Sequence, residues 1–256
     1  MNKKLQIVAT ISAVAALPAS AAISIIGQTN NSVRNSNFDT AFDATGADKL
    51  VVVVTGEHGF NNAAGTVTSL TYDGVDLIPA AYRDAVTAQT DILYHGIFYL
   101  DNPVTTTGTV NLQSQNRGTI SIFALTGTAE GVGATGITAV GSRTIDLTTT
   151  TAGSLVFSAI GLGGDGNTGN TNSVDPDAPA VEVAAVKDPS NWQGHVVATA
   201  EVTTPGSTTY GFTGGTATGA VVSAAEFLAA DPIPEPSGAL LLGLGALGAL
   251  GFRRRK

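Results

Sequence analysis

The chain of 256 residues has no cysteine, one methionine and one tryptophan, and only 12 % of its residues are charged. Without thiols there can be no cysteine nucleophile, no disulfide staple and no cysteine-based zinc site. The 3 histidines, His58, His95 and His195, lie too far apart for an H-x-H, H-E-x-x-H or H-x3–5-H motif. No serine sits in G-x-S-x-G, and Gly161-Leu162-Gly163-Gly164 lacks the lysine and hydroxyl residue of a phosphate-binding loop. Lysine, glutamate and methionine are scarce while threonine, valine, glycine, alanine and asparagine abound, which disfavours helices and favours strands and turns.

Long apolar runs are confined to the two ends. At the N-terminus, Lys3 and Lys4 precede a mostly apolar stretch from Leu5 to Leu17, and Ala19-Ser20-Ala21 follows. That order reads as a signal helix over residues 1–22, with Ala19 and Ala21 marking an A-x-A cleavage site. At the C-terminus, Pro234-Glu235-Pro236 precedes an uncharged run from Gly238 to Phe252, closed by Arg253, Arg254, Arg255 and Lys256. As a helix the run would rise roughly 22 Å at about 1.5 Å per residue. It is therefore a short transmembrane helix for a hydrocarbon core of about 30 Å. The four cations act as a membrane stop on the cytoplasmic side. The two prolines hold Glu235 on an extended strip just outside the bilayer.

Pro-Glu-Pro, a short Gly/Ala/Leu helix and a terminal arginine cluster, in that order, resemble the PEP-CTERM sorting signal of Gram-negative bacteria. The resemblance covers residues 231–256, about a tenth of the chain. It implies recognition at Pro234, Glu235 and Pro236 by an exosortase, a membrane-embedded cysteine protease. It further implies transient anchoring in the inner membrane, then delivery to the cell surface or extracellular matrix of an exopolysaccharide-producing host. The domains upstream of such tails vary, so the resemblance carries no activity.

Without the signal peptide and the stretch after the Pro-Glu-Pro motif, residues 22–236 keep 6 basic side chains against 20 acidic ones. A field of that sign repels nucleic acid and suits an aqueous exterior. The core, residues 23–230, reads as one all-β domain, an antiparallel β-sandwich or jelly roll. Strands are expected at Leu50 to Thr55, Thr66 to Tyr72, Val75 to Ile78, Ile92 to Leu100, Thr109 to Gln113 and Thr119 to Leu125. Further strands are expected at Arg143 to Leu147, Leu155 to Ile160, Val181 to Val186, Val196 to Val202, Thr208 to Phe212 and Ala220 to Leu228. Asp73-Gly74 joins two of these runs as a type I′ hairpin turn. Asn30 to Asn37 reads as a polar lead-in, Ala80 to Ala88 as a connection, and Gly161 to Pro179 as a long loop.

Within that loop Asp165, Asn167 and Asn170 have the oxygen chemistry of a Ca²⁺ site, although the twelfth-position glutamate of an EF-hand is missing; Asn and Asp are equally good turn residues. Trp192, flanked by Asn191 and Gln193, is either a stacking platform for a sugar ring or a core plug. Glu57-His58 at a strand end has the composition of an acid/base pair, and Asp73, Asp76, Asp91 and Glu57 could converge as glycosidase-type carboxylates. His95, inside an apolar run, reads as a buried, hydrogen-bonded histidine. The sequence thus favours a non-enzymatic structural or adhesive surface protein without a cofactor. An exopolysaccharide-binding module is the alternative, and an exported hydrolase a third reading.

Overall fold

A computed structural model describes residues 22–33, 37–57, 67–84, 92–103, 107–114, 118–163, 171–187, 193–215 and 219–231. The expected signal helix and C-terminal helix lie outside these residues. Among the described residues no helix is long and apolar enough to cross a membrane.

The described core is all-β and every strand pairing is antiparallel. Its first half contains β1 (Ser24–Val33), β2 (Asn37–Asp43), β3 (Lys49–Glu57), β4 (Val67–Tyr72), β5 (Val75–Asp76), β6 (Ile78–Asp84), β7 (Ile92–Asp101), β8 (Thr107–Ser114) and β9 (Gly118–Thr126). The second half contains β10 (Thr135–Ile137), β11 (Thr144–Thr148), β12 (Leu155–Gly163), β13 (Val174–Pro176), β14 (Val181–Lys187), β15 (Gln193–Glu201), β16 (Ser207–Gly214) and β17 (Val221–Phe227).

Strand order shows that the second half repeats the first. The first half has an inner sheet β1-β9-β3-β7-β6 and an outer sheet β2-β8-β4-β5. The second has an inner sheet β10-β17-β12-β15-β14 and an outer sheet β11-β16-β13. Each strand of the second half takes the place of its counterpart, β10 for β1 through β17 for β9, with only β5 lacking an equivalent. Strands 1, 9, 3 and 7 facing 2, 8, 4 and 5 are in jelly-roll order. Two such sandwiches stack through their inner sheets, giving four layers where the sequence suggested two.

Burial follows from that stacking. In β3, Leu50, Val52 and Val54 join Phe38, Leu70, Tyr72, Val110 and Leu112 in the core of the first sandwich. Val51 and Val53 face the other way and pack with Phe157, Ala159, Val197 and Phe227 of the second inner sheet. A strand covered on both faces has no polar side to show, which explains the unbroken Leu50–Val54 run. Outer strands alternate instead: Ile145 and Leu147 of β11 point inward to Tyr210 and Phe212, and Thr144, Asp146 and Thr148 point out.

The Asp73-Gly74 turn forms as expected. Both residues have positive φ, 48° and 81°, and Thr71 and Tyr72 pair with Asp76 and Val75. Three expectations are corrected. The lead-in at Asn30 to Asn37 is mostly strand, since β1 runs to Val33 and β2 begins at Asn37. The connection from Ala80 is strand as far as Asp84, held as an edge by pairing with β7, with Pro79 beside a register shift. The loop from Gly161 is shorter than expected, because β12 extends to Gly163 and a 3₁₀ turn at Thr171–Ser173 leads into β13.

Candidate functional site

The contact between the two inner sheets divides into an aromatic part and a polar part. In the aromatic part Phe157 meets Phe123 and Phe227 edge-on, with ring centroids 5.2 and 5.4 Å apart. The polar part holds Thr55, His95, Thr119 and Ser121 of the first half with His195 and Ser223 of the second, all buried. The strand registers equate the two halves here. His95 lies opposite Thr55 as His195 lies opposite Gly161, and Ser121 lies opposite Val53 as Ser223 lies opposite Ala159. Each histidine bonds the serine of the other half: His95 Nε2 is 3.0 Å from Ser223 Oγ, and His195 Nε2 is 2.7 Å from Ser121 Oγ.

Partner chemistry sets the protons. His95 Nε2 lies 3.2 Å from the Ala159 carbonyl, which only accepts, so Nε2 donates and Nδ1 accepts from the Thr55 hydroxyl at 2.7 Å. The Thr119 hydroxyl donates to the Thr55 carbonyl at 3.4 Å and accepts from His195 Nδ1 at 2.9 Å. His195 Nε2 is then the acceptor for Ser121. Burial lowers the His95 pKa to about 4. Burial, with His95 nearby, lowers that of His195 to about 3. Both rings are neutral near pH 7.

Ser121 and His195 have the spacing of a nucleophile and its base. In the described structure both are fully buried, and the far nitrogen of His195 is held by a hydroxyl rather than a carboxylate. The seam is a polar lock between two sandwiches. Gly161 makes room for it: a Cβ there would lie 2.7 Å from His95 Nδ1 and 3.2 Å from Thr55 Cγ2. Gly161→Ala should therefore cost about 1–3 kcal/mol, read as a lower urea midpoint. An unchanged midpoint would show that the ring can move aside.

A second buried group is Glu226 of β17. Its carboxylate accepts from the backbone N–H groups of Ala134, Thr150 and Thr151, each at 3.0 Å, and from Ser154 Oγ at 2.7 Å. Burial works to raise its pKa, and these hydrogen bonds outweigh that, leaving it below the ordinary glutamate value.

Of the residues singled out by sequence, His95 and His195 come together, with His95 buried and hydrogen-bonded as expected. Asp73 is occupied at its turn, accepting the Thr109 N–H at 2.8 Å. Asp73 and Asp76 flank a hairpin of the outer sheet, whereas Glu57 pairs with Ile92 in the inner one, at its register shift. Outside the described residues lie Ala19, Ala21, His58, Asp91, Asp165, Asn167, Asn170, Trp192, Pro234, Glu235, Pro236, Arg253, Arg254, Arg255 and Lys256. Among the described residues no group of three or more His, Asp or Glu is placed to hold a metal ion. Sequence reasoning missed Glu226 and the meeting of the two histidines; like residues recurring about 100 positions apart, His95 with His195 and Ser121 with Ser223, were the available signal.

Comparison with known families adds one finding, at the C-terminus, where residues 232–256 match the description of the PEP-CTERM protein-sorting motif. The chain carries a PEP-CTERM sorting motif. No curated protein and no solved structure matches the chain. The PEP-CTERM tail implies exosortase-dependent sorting of an exported protein.

Proposed function

We propose that this is an exported, non-enzymatic protein of structural or adhesive type, delivered to the cell surface or extracellular matrix after exosortase processing of its tail. The observation that carries the reading is the PEP-CTERM motif at residues 232–256. The core supports it in two ways. His95 and His195 are held inside a packed seam, and its outer sheets present Asp39, Asp43, Thr107, Thr109 and Gln113 on one side and Thr144, Asp146, Thr148, Ser207 and Thr209 on the other. Such faces are well hydrated and mildly acidic, suited to a wet polymer matrix.

The test is made in the native cells. Wild-type protein should be recovered from the surface or matrix with a C-terminus near Pro236. With Pro234→Ala, Glu235→Ala and Pro236→Ala combined, it should stay in the inner-membrane fraction and end at Lys256. An unchanged distribution and terminus in the triple variant would overturn the sorting route. Turnover of matrix polysaccharide by the purified protein would overturn the non-enzymatic reading.

A further inference from the structure

The fully buried lysine at the start of β3 is not part of the seam. Lys49 is directly opposite Asp101, the last residue of β7. It has no exposed surface, an environment a lysine accepts only with its amine engaged. Its Nζ touches the Asp101 carboxylate, donates to the Gly131 carbonyl at 2.9 Å, and lies 4.8 Å from the centre of the Tyr99 ring and 5.9 Å from that of Phe227. Asp101 Oδ2 accepts the Gly131 N–H at 2.9 Å, and the Asp101 side chain keeps 22 % exposure. An amine and a carboxyl are thus pressed together under aromatic cover, with one oxygen polarised by a backbone donor and a path to water on the carboxyl side.

We propose that Lys49 and Asp101 condense to an intramolecular isopeptide bond joining β3 to β7. Burial lowers the Lys49 pKa to about 8 against the pull of Glu130 and Asp48. The reaction begins with proton transfer from the ammonium to the carboxylate, giving a neutral amine and a neutral acid. The Gly131 carbonyl holds one N–H, and the nitrogen lone pair attacks Asp101 Cγ. The N–C bond forms, and charge develops on Oδ2, where the Gly131 N–H stabilises it. A second amine proton moves to the hydroxyl oxygen, the C–O bond breaks, and one water leaves. The amide keeps a single N–H. Atoms and charge balance with no oxidant or added reagent. In a chain without cysteine, such a bond supplies the covalent tie that a disulfide otherwise would. The equivalent pair in the second half is Leu155 opposite Glu201, which has no amine and serves as an internal control.

The test uses the full chain recovered from its cells, denatured and digested with trypsin. Cleavage after Lys49 should fail, and peptide 35–83 should remain joined to peptide 84–117, lighter than their sum by one water. Lys49→Arg should restore cleavage at position 49 and release peptides 35–49, 50–83 and 84–117 unjoined. Asp101→Asn should keep the join but lose ammonia in place of water. Ordinary cleavage after Lys49 in the wild-type chain would overturn the proposal. So would loss of water without a branched peptide, the signature of ring closure within Asp101-Asn102.

Discussion

Replacing Glu226 by glutamine should destabilise the folded core by about 4 kcal/mol, one of the largest effects expected of a single side chain here. The substitution keeps shape and volume almost unchanged, so the loss would come from hydrogen bonding. The carboxylate accepts from the N–H groups of Ala134, Thr150 and Thr151 and from the hydroxyls of Thr150 and Ser154. An ionised carboxylate only accepts, and it is the one side chain of this size with enough lone pairs for such a set. A glutamine turns an NH₂ towards donors, so at least two buried N–H or O–H groups lose their partner, at about 1–3 kcal/mol each. The same donors hold the segments leading into β10 and into β12, so the loss spreads to the edge of the second sandwich. Equilibrium unfolding in urea would measure it, with Glu201→Gln as the exposed control expected to stay within about 0.5 kcal/mol. A Glu226→Gln shift no larger than that control would mean that the loops re-satisfy their donors by other means.

How far the fold could be read from the chain depended on which layer a strand occupies. Outer strands show their face pattern locally: Val110 and Leu112 point in while Thr109 and Gln113 point out, and an alternating run needs no partner to be recognised. Inner strands were found too, because Leu50–Val54 is apolar without a break, and Thr119–Leu125 and Leu155–Ile160 are polar only at Thr119, Ser121 and Ser158. That same lack of alternation, read physically, reports cover on both faces and hence more than two layers. Edge strands were the ones lost. β1, with Thr29, Asn30, Asn31 and Ser32, is polar because an edge needs only one good neighbour, and β6 carries Pro79 and Ala80 next to its first residue, poor strand formers in a strand held by pairing with β7. The duplication stayed hidden because structurally equivalent residues differ: Lys49 and Leu155, Thr55 and Gly161, Asp101 and Glu201. Backbone pairing preserves the order while each half tunes its own interior. The histidine–serine pairs that cross the seam remain alike, since His95 and His195 each bond the serine of the opposite half. The sorting tail was legible throughout, because Pro234-Glu235-Pro236, the apolar run and the terminal cations follow one another in the chain and need no folding to be recognised.

The seam should make the core acid-labile at a pH where most carboxylates are still ionised. Both imidazoles have folded-state pKa values lowered by burial, to about 4 for His95 and about 3 for His195. In the unfolded chain each returns to about 6.5. Between those limits the unfolded state binds protons that the folded state refuses, so stability falls as pH drops below about 6.5 and levels off only below the folded values. With both rings contributing, the fall should approach roughly 2–3 kcal/mol per pH unit around pH 5. The ring partners Thr55, Thr119, Ser121 and Ser223 are all uncharged, backbone hydrogen bonds at Ala159 and Val54 offset only part of the effect of burial on His95, and a proton on one ring opposes a proton on the other. Glu226, with its pKa lowered, loses its contribution only at more acidic pH, which leaves the interval from 6 to 5 to the histidines. Urea unfolding at pH 7, 6 and 5 would give the slope, and His95→Gln and His195→Gln should each remove about half of it, whatever they cost at neutral pH. The slope matters more than the absolute loss, because a packing defect lowers stability equally at every pH whereas a lost titration flattens the curve. A slope unchanged in both variants would place the acid sensitivity elsewhere and leave the seam a purely steric lock.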